Sequence, residues 1–481
     1  MKDPWLALDK AIGDLVERIV RSHHRRRLEK LGWGRALSPP DDDLWPAGDP
    51  PPREGNHVEV LIDGAEALPR IAAEIRKARS HVHMAGWYVS PWFALTRDGA
   101  RAELRPLLER VAERADVRVL LWAGSPLPLF HPDRDDLDGV RHALAFGTRI
   151  RVATDSRERP MHCHHEKLVI VDDRIAFVGG IDLTTYAGDR WDTQQHVARG
   201  ATGWHDAAVL VRGPIVADVA EHFRTRWQEV ADESLPPPKR SRRAGEAEAQ
   251  LVRTVPEKVY ETVPRGDFRI LEAYTRALRS AQKLVYLENQ FYWSSEIAEI
   301  LERKVSDPPS DDFRIVLVLP AHPNSGNDDT RGQLGDLLDC DHGEGRVLAC
   351  TLTALGELGP CPVYVHAKIG IVDDRWLTIG SANLNEHSLF NDTEVNIVTC
   401  DPALVRATRL RLWAEHLELP EPEVAGDTTR VIDEVWRPIA EEQRRLREAG
   451  QPQTHRLSQL PHLSRRTRRL LGPVQGLLVD G

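Results

Sequence analysis

Residues 164–180 read HHEKLVIVDDRIAFVGG, and residues 366–381 read HAKIGIVDDRWLTIGS. Each stretch sets out a histidine, one residue, a lysine, an apolar run, Asp-Asp-Arg and a glycine-ended second run, and the two copies are 366 − 165 = 201 positions apart. An apolar run of β-rich residues, a turn of acidic residues and a second such run is the pattern of a strand hairpin. Neither copy has the spacing of a zinc site or of a phosphate-binding glycine loop. The doubling itself therefore needs a physical reason.

The sequence around the two copies repeats as well. Upstream, ALPRIAAEIRKARSHVHMAGWYVSPW is answered by ILEAYTRALRSAQKLVYLENQFYWS, each a helical spacing running into a β-type run. DVRVLLWAG is matched by DFRIVLVLPA, and after the hairpins AAVLVRGPIVADVAEHFRTRWQEV is matched by VNIVTCDPALVRATRLRLWAEHL. Strands alternating with helices in both halves predict an α/β fold of two duplicated domains. Each is expected to be a mixed β-sheet flanked by helices, the pair related by a pseudo-two-fold axis with one active site at their interface.

Two stretches rich in proline and charge, SPPDDDLWPAGDPPPREG and DESLPPPKRSRRAGEAEAQ, read as linkers. They divide the chain into an N-terminal helical extension and linker (1–54), a first domain (55–231), a linker (232–250), a second domain (251–420) and a C-terminal tail (421–481). The segment AIGDLVERIVRSHHRRR predicts an amphipathic helix with a basic end, which fits docking on the protein body better than resting on an anionic membrane. The basic tail LPHLSRRTRRLL carries the same ambiguity.

Composition narrows the function. The chain has 481 residues, 41% of them hydrophobic, and a net charge of −10, which disfavours a nucleic-acid partner. Its five cysteines have no CxxC spacing and fit a reducing compartment. No cleavable leader and no uncharged membrane span is read, so a cytoplasmic protein with at most peripheral membrane contact is expected. The oligomeric state is left open.

Residues two apart in an extended strand share a face, so His165 and Lys167 project together, as do His366 and Lys368. Asp172 and Asp373 fall at the turns, where a carboxylate accepts backbone N–H groups, and read as organisers of the motif. The turns' small residues, Gly179-Gly180 and Gly380-Ser381, permit close approach, and Asp182 and Asn383 follow them. Brought face to face, the halves offer two imidazoles and two ammonium groups to one phosphodiester without a metal or other cofactor. One neutral imidazole attacks phosphorus, and the other, protonated, supplies the departing alkoxide with its proton. In-line displacement puts these two roles on opposite sides of phosphorus, so each copy supplies half a centre.

One such motif arises by chance in about one chain in seventeen of this length, whereas two at equivalent places in a repeated frame do not. An orienting acceptor is also expected on each histidine. Glu394 lies 394 − 366 = 28 positions beyond His366, and Gln194 lies 194 − 165 = 29 beyond His165, with Asp192 nearby. The run His162-Cys163-His164-His165 is not expected to bind metal, because strand neighbours point to alternate faces. Trp87, Trp92, Trp191 and Trp293 lie close to the motifs and suit a lipid-facing mouth or the core. The loops SPLPLFHPDRDD and HPNSGNDDTRG are expected to overhang the site.

HEKLVIVD with GGID, and HAKIGIVD with GSAN, resemble the paired HKD motifs of the phospholipase D superfamily. YLENQFYW, GGIDLTTYAGDRWDTQQH, WHDAAVLVRGP and YVHAKIGIVDDRWLTIGSANLNEHSL resemble blocks of its phosphatidylcholine-type members, over roughly residues 55 to 420. The resemblance implies metal-free hydrolysis of a glycerophospholipid to phosphatidic acid through a phosphohistidine. It makes His165 the nucleophile and His366 the acid, with Lys167, Lys368 and Asn383 gripping phosphate; Asp182 stands where many relatives have Asn. A cardiolipin synthase-like phosphatidyltransferase, a nuclease of the superfamily and a silent lipid-binding scaffold are the competing readings.

Overall fold

The computed structural model describes residues 4–40, 43–97, 102–127, 130–158, 162–322, 327–356 and 359–460, with backbone alone for 4–17 and 327–329. Among the described residues, runs rich in valine, isoleucine and leucine form fourteen principal strands, seven in each half. In the first half these are β1 (Arg53–Ile62), β2 (His81–Gly86), β3 (Asp116–Trp122), β4 (Arg151–Asp155), β5 (Leu168–Val171), β6 (Ile175–Gly179) and β7 (Ala207–Arg212). In the second they are β8 (Ala247–Val255), β9 (Leu284–Glu288), β10 (Arg314–Val318), β11 (Val347–Ala354), β12 (Ile369–Val372), β13 (Trp376–Gly380) and β14 (Glu394–Thr399).

Pairing runs β4-β3-β2-β5-β6-β7-β1 in the first sheet. It runs β11-β10-β9-β12-β13-β14-β8 in the second, the same order position for position. The duplication seen in the sequence is thus a duplication of topology. β1 also pairs with β8 at Arg53–Ala249 and Asn56–Ala247, which joins the sheets edge to edge.

Helices flank both sheets. α1 (Pro4–Leu31) precedes the first; α2 (Asp63–Arg76), α3 (Leu104–Ala112), α4 (Arg134–Ala145) and α5 (Ile215–Ala231) belong to it. α6 (Arg269–Ser280), α7 (Ser295–Ser306), α8 (Asn327–Cys340), α9 (Glu386–Phe390) and α10 (Pro402–Leu417) belong to the second. The period-two alternation of a strand decides which core each side chain enters. Leu168 and Ile170 enter a core shared with Ile369, Ile371 and Trp413 of the other half. Val169 and Val171 turn outward to the core under α2 and α3. Strands buried on both faces explain why the motif runs are continuously apolar.

The last four residues of the proline-rich segment 232–250 already belong to β8. Beyond residue 420, Arg437–Glu448 is helical and Leu457–Gln459 pairs with β11, so part of the tail extends the second sheet. The basic end of α1 docks on the body: Arg21 and Arg25 reach Glu299, Arg27 reaches Glu257, and Leu28 is buried. The basic stretch of the tail, 461–481, lies outside the described residues.

Candidate active site

Asp172 and Asp373 fix where each motif begins to turn. Both adopt left-handed backbone, φ 56° and 52°, as do Asp173 and Asp374 after them, which a tight hairpin turn requires. The Asp172 carboxylate accepts the N–H groups of Arg79, Ser80 and His81 at 2.7–3.1 Å, and Asp373 accepts those of Gln282, Lys283 and Leu284 at 2.7–2.8 Å. Against the upward push of burial, these bonds hold Asp172 below the usual carboxylate range. Each aspartate therefore pins the start of β2 or β9 to its hairpin, away from the histidine.

The segments carrying the histidines cross between halves. Tyr364–Val365 pairs in parallel with Trp204–His205, and the His205 carbonyl accepts the N–H groups of His366 and Ala367 at 2.8 and 3.0 Å. Reciprocally, the His165 N–H donates to the Thr393 carbonyl at 3.0 Å, and that of Thr393 to the Cys163 carbonyl at 3.1 Å. This exchange brings the two imidazoles to 6.4 Å between ring centroids, inclined at 68°. Both rings are buried, each only 4% exposed.

Each ring is held by a carboxylate of the opposite half. Glu394, at the start of β14, lies 3.0 Å from His165 Nδ1; Asp206, just before β7, lies 2.6 Å from His366 Nδ1. The acids are structural equivalents. Gly179 pairs with Ala208 and Gly380 with Asn396, and each acid stands two residues before that partner. Ser381 and Ser388 donate to Glu394 in turn, fixing it from its own half. Gly180 makes room for Asp206: a Cβ there would lie 2.2 Å from Asp206 Oδ1.

The expectation that Glu394 orients His366, with Gln194 or Asp192 serving His165, is corrected by this geometry. Gln194 donates to Glu66 at 3.0 Å, and Asp192 lies 3.0 Å from His196 Nδ1; neither meets a motif histidine. The reason is an insertion. From glycine to paired residue the first half takes 208 − 179 = 29 positions and the second 396 − 380 = 16, so equal spacing selects the wrong residue. Asp206 was missed for the same reason, although it stands in the same relation to its strand as Glu394.

Around the imidazoles, Lys167 Nζ donates to the His165 carbonyl at 2.7 Å and lies 3.4 Å from Asp182. Lys368 Nζ donates to the His366 carbonyl at 2.5 Å and to Gln290 at 3.2 Å, and the Asn383 amide also donates to Gln290, at 3.4 Å. Asp182 Oδ1 and Asn383 Oδ1 are buried without a hydrogen bond. Gln290 and Arg190 escaped the sequence reading. Arg190 stacks over Trp204, 3.2 Å from the ring centroid, and Trp204 lies 4.5 Å from the His366 ring.

Burial sets the electrostatics. It pulls the Lys368 ammonium down to about 7 despite the carboxylate of Asp206, and pushes Glu394 up to about 8 despite Lys167. His366 is held well below its ordinary value, first by burial and then by the charges of Lys368, Arg190, Lys167 and His165. Three cationic side chains, Lys167, Lys368 and Arg190, thus bear on the His366 ring.

The neighbouring histidines go elsewhere. His164 meets Asp155 at 3.1 Å and Thr393 at 2.9 Å, while His162 meets His387 at 2.9 Å, so the HCHH run converges on no common point. Of the four tryptophans, Trp87 packs 6.5 Å from the His165 ring and Trp293 edge-on to His387. Trp92 is exposed under Arg105, and Trp191 stacks with Arg97. In the loops expected to overhang the site, residues 128–129 and 323–326 lie outside the described residues.

Comparison with known proteins gives concordant matches. Residues 274–414 match a family model described as cardiolipin synthase, PLD-like domain. Phospholipase D1 of Schizosaccharomyces pombe is 26% identical, over 77% of this chain and 36% of its own length. Phospholipase D A of Dictyostelium discoideum is likewise 26% identical over 77% of this chain and 36% of its own. The chain therefore spans a little over a third of these two relatives. A crystal structure of phosphatidylserine synthase from Haemophilus influenzae shares the fold with a TM-score of 0.51 at 11% identity, covering 74% of this chain and 84% of that one.

Proposed function

The chain belongs to the phospholipase D superfamily, and from that premise we propose that it is a phospholipase D-type phosphodiesterase, converting a glycerophospholipid to phosphatidic acid and a free alcohol. The observation that carries this reading is the exchange of orienting acids: each imidazole has its Nδ1 engaged by a carboxylate of the other half. Chemistry then falls to Nε2 of each ring, and the two rings share one centre.

In this mechanism His165 Nε2 attacks phosphorus while the bond to the head-group oxygen breaks, and His366 donates a proton to that oxygen. The phosphatidyl group remains on His165 as a phosphoramidate. His366, now neutral, takes a proton from an incoming water, whose oxygen displaces His165 and yields phosphatidic acid. Lys167, Lys368 and the amide of Asn383 hold the non-bridging oxygens. The phosphodiester's negative charge offsets the cations that depress His366, so substrate binding favours the protonated ring that the leaving group needs. Asp172 and Asp373 act as anchors of the two hairpins.

A phospholipid substrate implies contact with a lipid surface, and among the described residues no helix is long and apolar enough to cross a membrane. We place the protein in the cytoplasm, in peripheral contact with a membrane; its five cysteines, few and without CxxC spacing, accord with a reducing compartment. Phosphatidyl transfer to an alcohol is the second reading, favoured by the family model's description and served by the same intermediate. The net charge of −10 speaks against a nuclease. Incubation with a panel of phospholipids and with single-stranded DNA, followed by mass spectrometry of the products, tests the assignment. Phosphatidic acid from at least one phospholipid supports it, and cleavage of DNA alone refutes it.

A further inference from the structure

A second constellation lies deeper between the halves. His196 and His205 come from the first half, Glu415 from α10 of the second, and Asp63 from the start of α2, held at φ 62°. All four are buried, none more than 7% exposed. His196 Nε2 lies 3.1 Å from Glu415 Oε1 and 3.6 Å from Asp63 Oδ2. His205 Nδ1 lies 3.3 Å from Glu415 Oε1 and 3.0 Å from Asp63 Oδ1. Asp63 Oδ2 and Glu415 Oε2 have no hydrogen-bond partner.

Two features distinguish this cluster from an ordinary buried ion pair. First, each imidazole presents one nitrogen to Glu415 Oε1 and to the Asp63 carboxylate at 3.0–3.6 Å, near the ~3.4 Å that separates ligand atoms about 2.1 Å from a shared ion, and one ligand atom from each of the four residues lies within 4.8 Å of the others. Second, the remaining nitrogen of each imidazole is already engaged by a carboxylate: His196 Nδ1 by Asp192 at 3.0 Å, and His205 Nε2 by Glu288 at 2.6 Å. Carboxylates behind both rings are the support that metal-ligating histidines regularly have. Glu288 is fixed in turn by His416 at 3.0 Å and by the hydroxyl of Tyr286.

We propose that Asp63, His196, His205 and Glu415 bind one structural divalent transition ion, of the zinc class, that ties the two halves together behind the phosphodiester centre. Two nitrogens and two oxygens in a closed tetrahedral set suit zinc, and the absence of an open position keeps the ion out of the chemistry. Since the site is sealed, the ion enters as the chain folds. The inference stands apart from the proposed activity, because neither motif histidine is a ligand.

Elemental analysis of the protein purified from zinc-supplemented culture, after dialysis against chelator, provides the test. About one equivalent of zinc per chain is expected, falling below about half an equivalent in the His196→Ala/Glu415→Gln protein and in Glu415→Gln alone, while His387→Ala retains it. Unfolding the wild type in chelator and refolding it with zinc should restore the original Tm, and refolding without metal should give a lower one. Wild-type protein that is folded with less than about half an equivalent of any divalent transition ion would overturn the proposal. So would metal retained undiminished in a folded Glu415→Gln variant.

Discussion

His366 Nδ1 and Asp206 Oδ2 are 2.6 Å apart although they belong to opposite halves of the duplication, and His165 and Glu394 repeat the relationship in reverse at 3.0 Å. Neither half thus supplies both a motif histidine and the acid that orients it. Asp206→Asn and Glu394→Gln should each lower turnover by about 10²–10⁴-fold with little effect on folding. They should differ in kcat/KM on an activated aryl phosphodiester, which reports the steps up to departure of a leaving group that needs no proton: Asp206→Asn should regain much of its loss there and Glu394→Gln should not. Equal losses of both variants on both substrates would remove the division of roles.

His165→Ala and His366→Ala should each reduce turnover by at least about 10³-fold, and the double variant should be scarcely worse than either, since nucleophile and acid act as one unit. Steady-state kinetics with intact circular dichroism provides the check. A single variant near wild-type activity would refute a shared centre.

Lys368 is buried among Asp206, Asp182, Glu394 and Lys167, with its ammonium lowered to about 7. In the proposed mechanism the charged form grips phosphate, so kcat/KM on a soluble short-chain phosphodiester should fall as pH rises through about 7. The sign for stability is opposite. A lysine depressed in the folded state binds fewer protons there than when unfolded, so its contribution to stability increases between pH about 7 and the ordinary lysine range. A flat kcat/KM from pH 6 to 9 would exclude this assignment.

Gly180→Ala places a methyl group 2.2 Å from Asp206 Oδ1, and the carboxylate must move or rotate away from His366. Turnover should fall by about 10²-fold, with KM changed far less. Gly139→Ala, where nothing lies within 4 Å of the added carbon, is the control and should behave as wild type.

The sequence discloses the duplicated α/β topology and both His-x-Lys pairs because hairpins and strand alternation are local patterns. Its limits are equally physical. Asp206 and Glu394 act across the interface, and nothing in the spacing of one half records which residue of the other it meets. The thirteen-residue difference between Gly179–Ala208 and Gly380–Asn396 makes Gln194, rather than Asp206, the residue at matching sequence distance. Gln290 and Arg190 look like ordinary polar residues until the fold places them beside Lys368 and Trp204. The cluster of Asp63, His196, His205 and Glu415 draws on three distant segments of chain, with no metal-binding spacing for a reader to find.

The central claim is a phosphatidyl group held on one histidine before the acceptor arrives, and product partitioning tests it most directly. Two phospholipids with the same acyl chains and different head groups should be hydrolysed in one fixed mixture of water and a primary alcohol, and phosphatidic acid and phosphatidyl alcohol measured. Both substrates should give the same ratio of products, rising with alcohol concentration, because both pass through one intermediate on His165. A ratio that depends on the departing head group would mean that the acceptor attacks before any common intermediate forms, and would contradict the account.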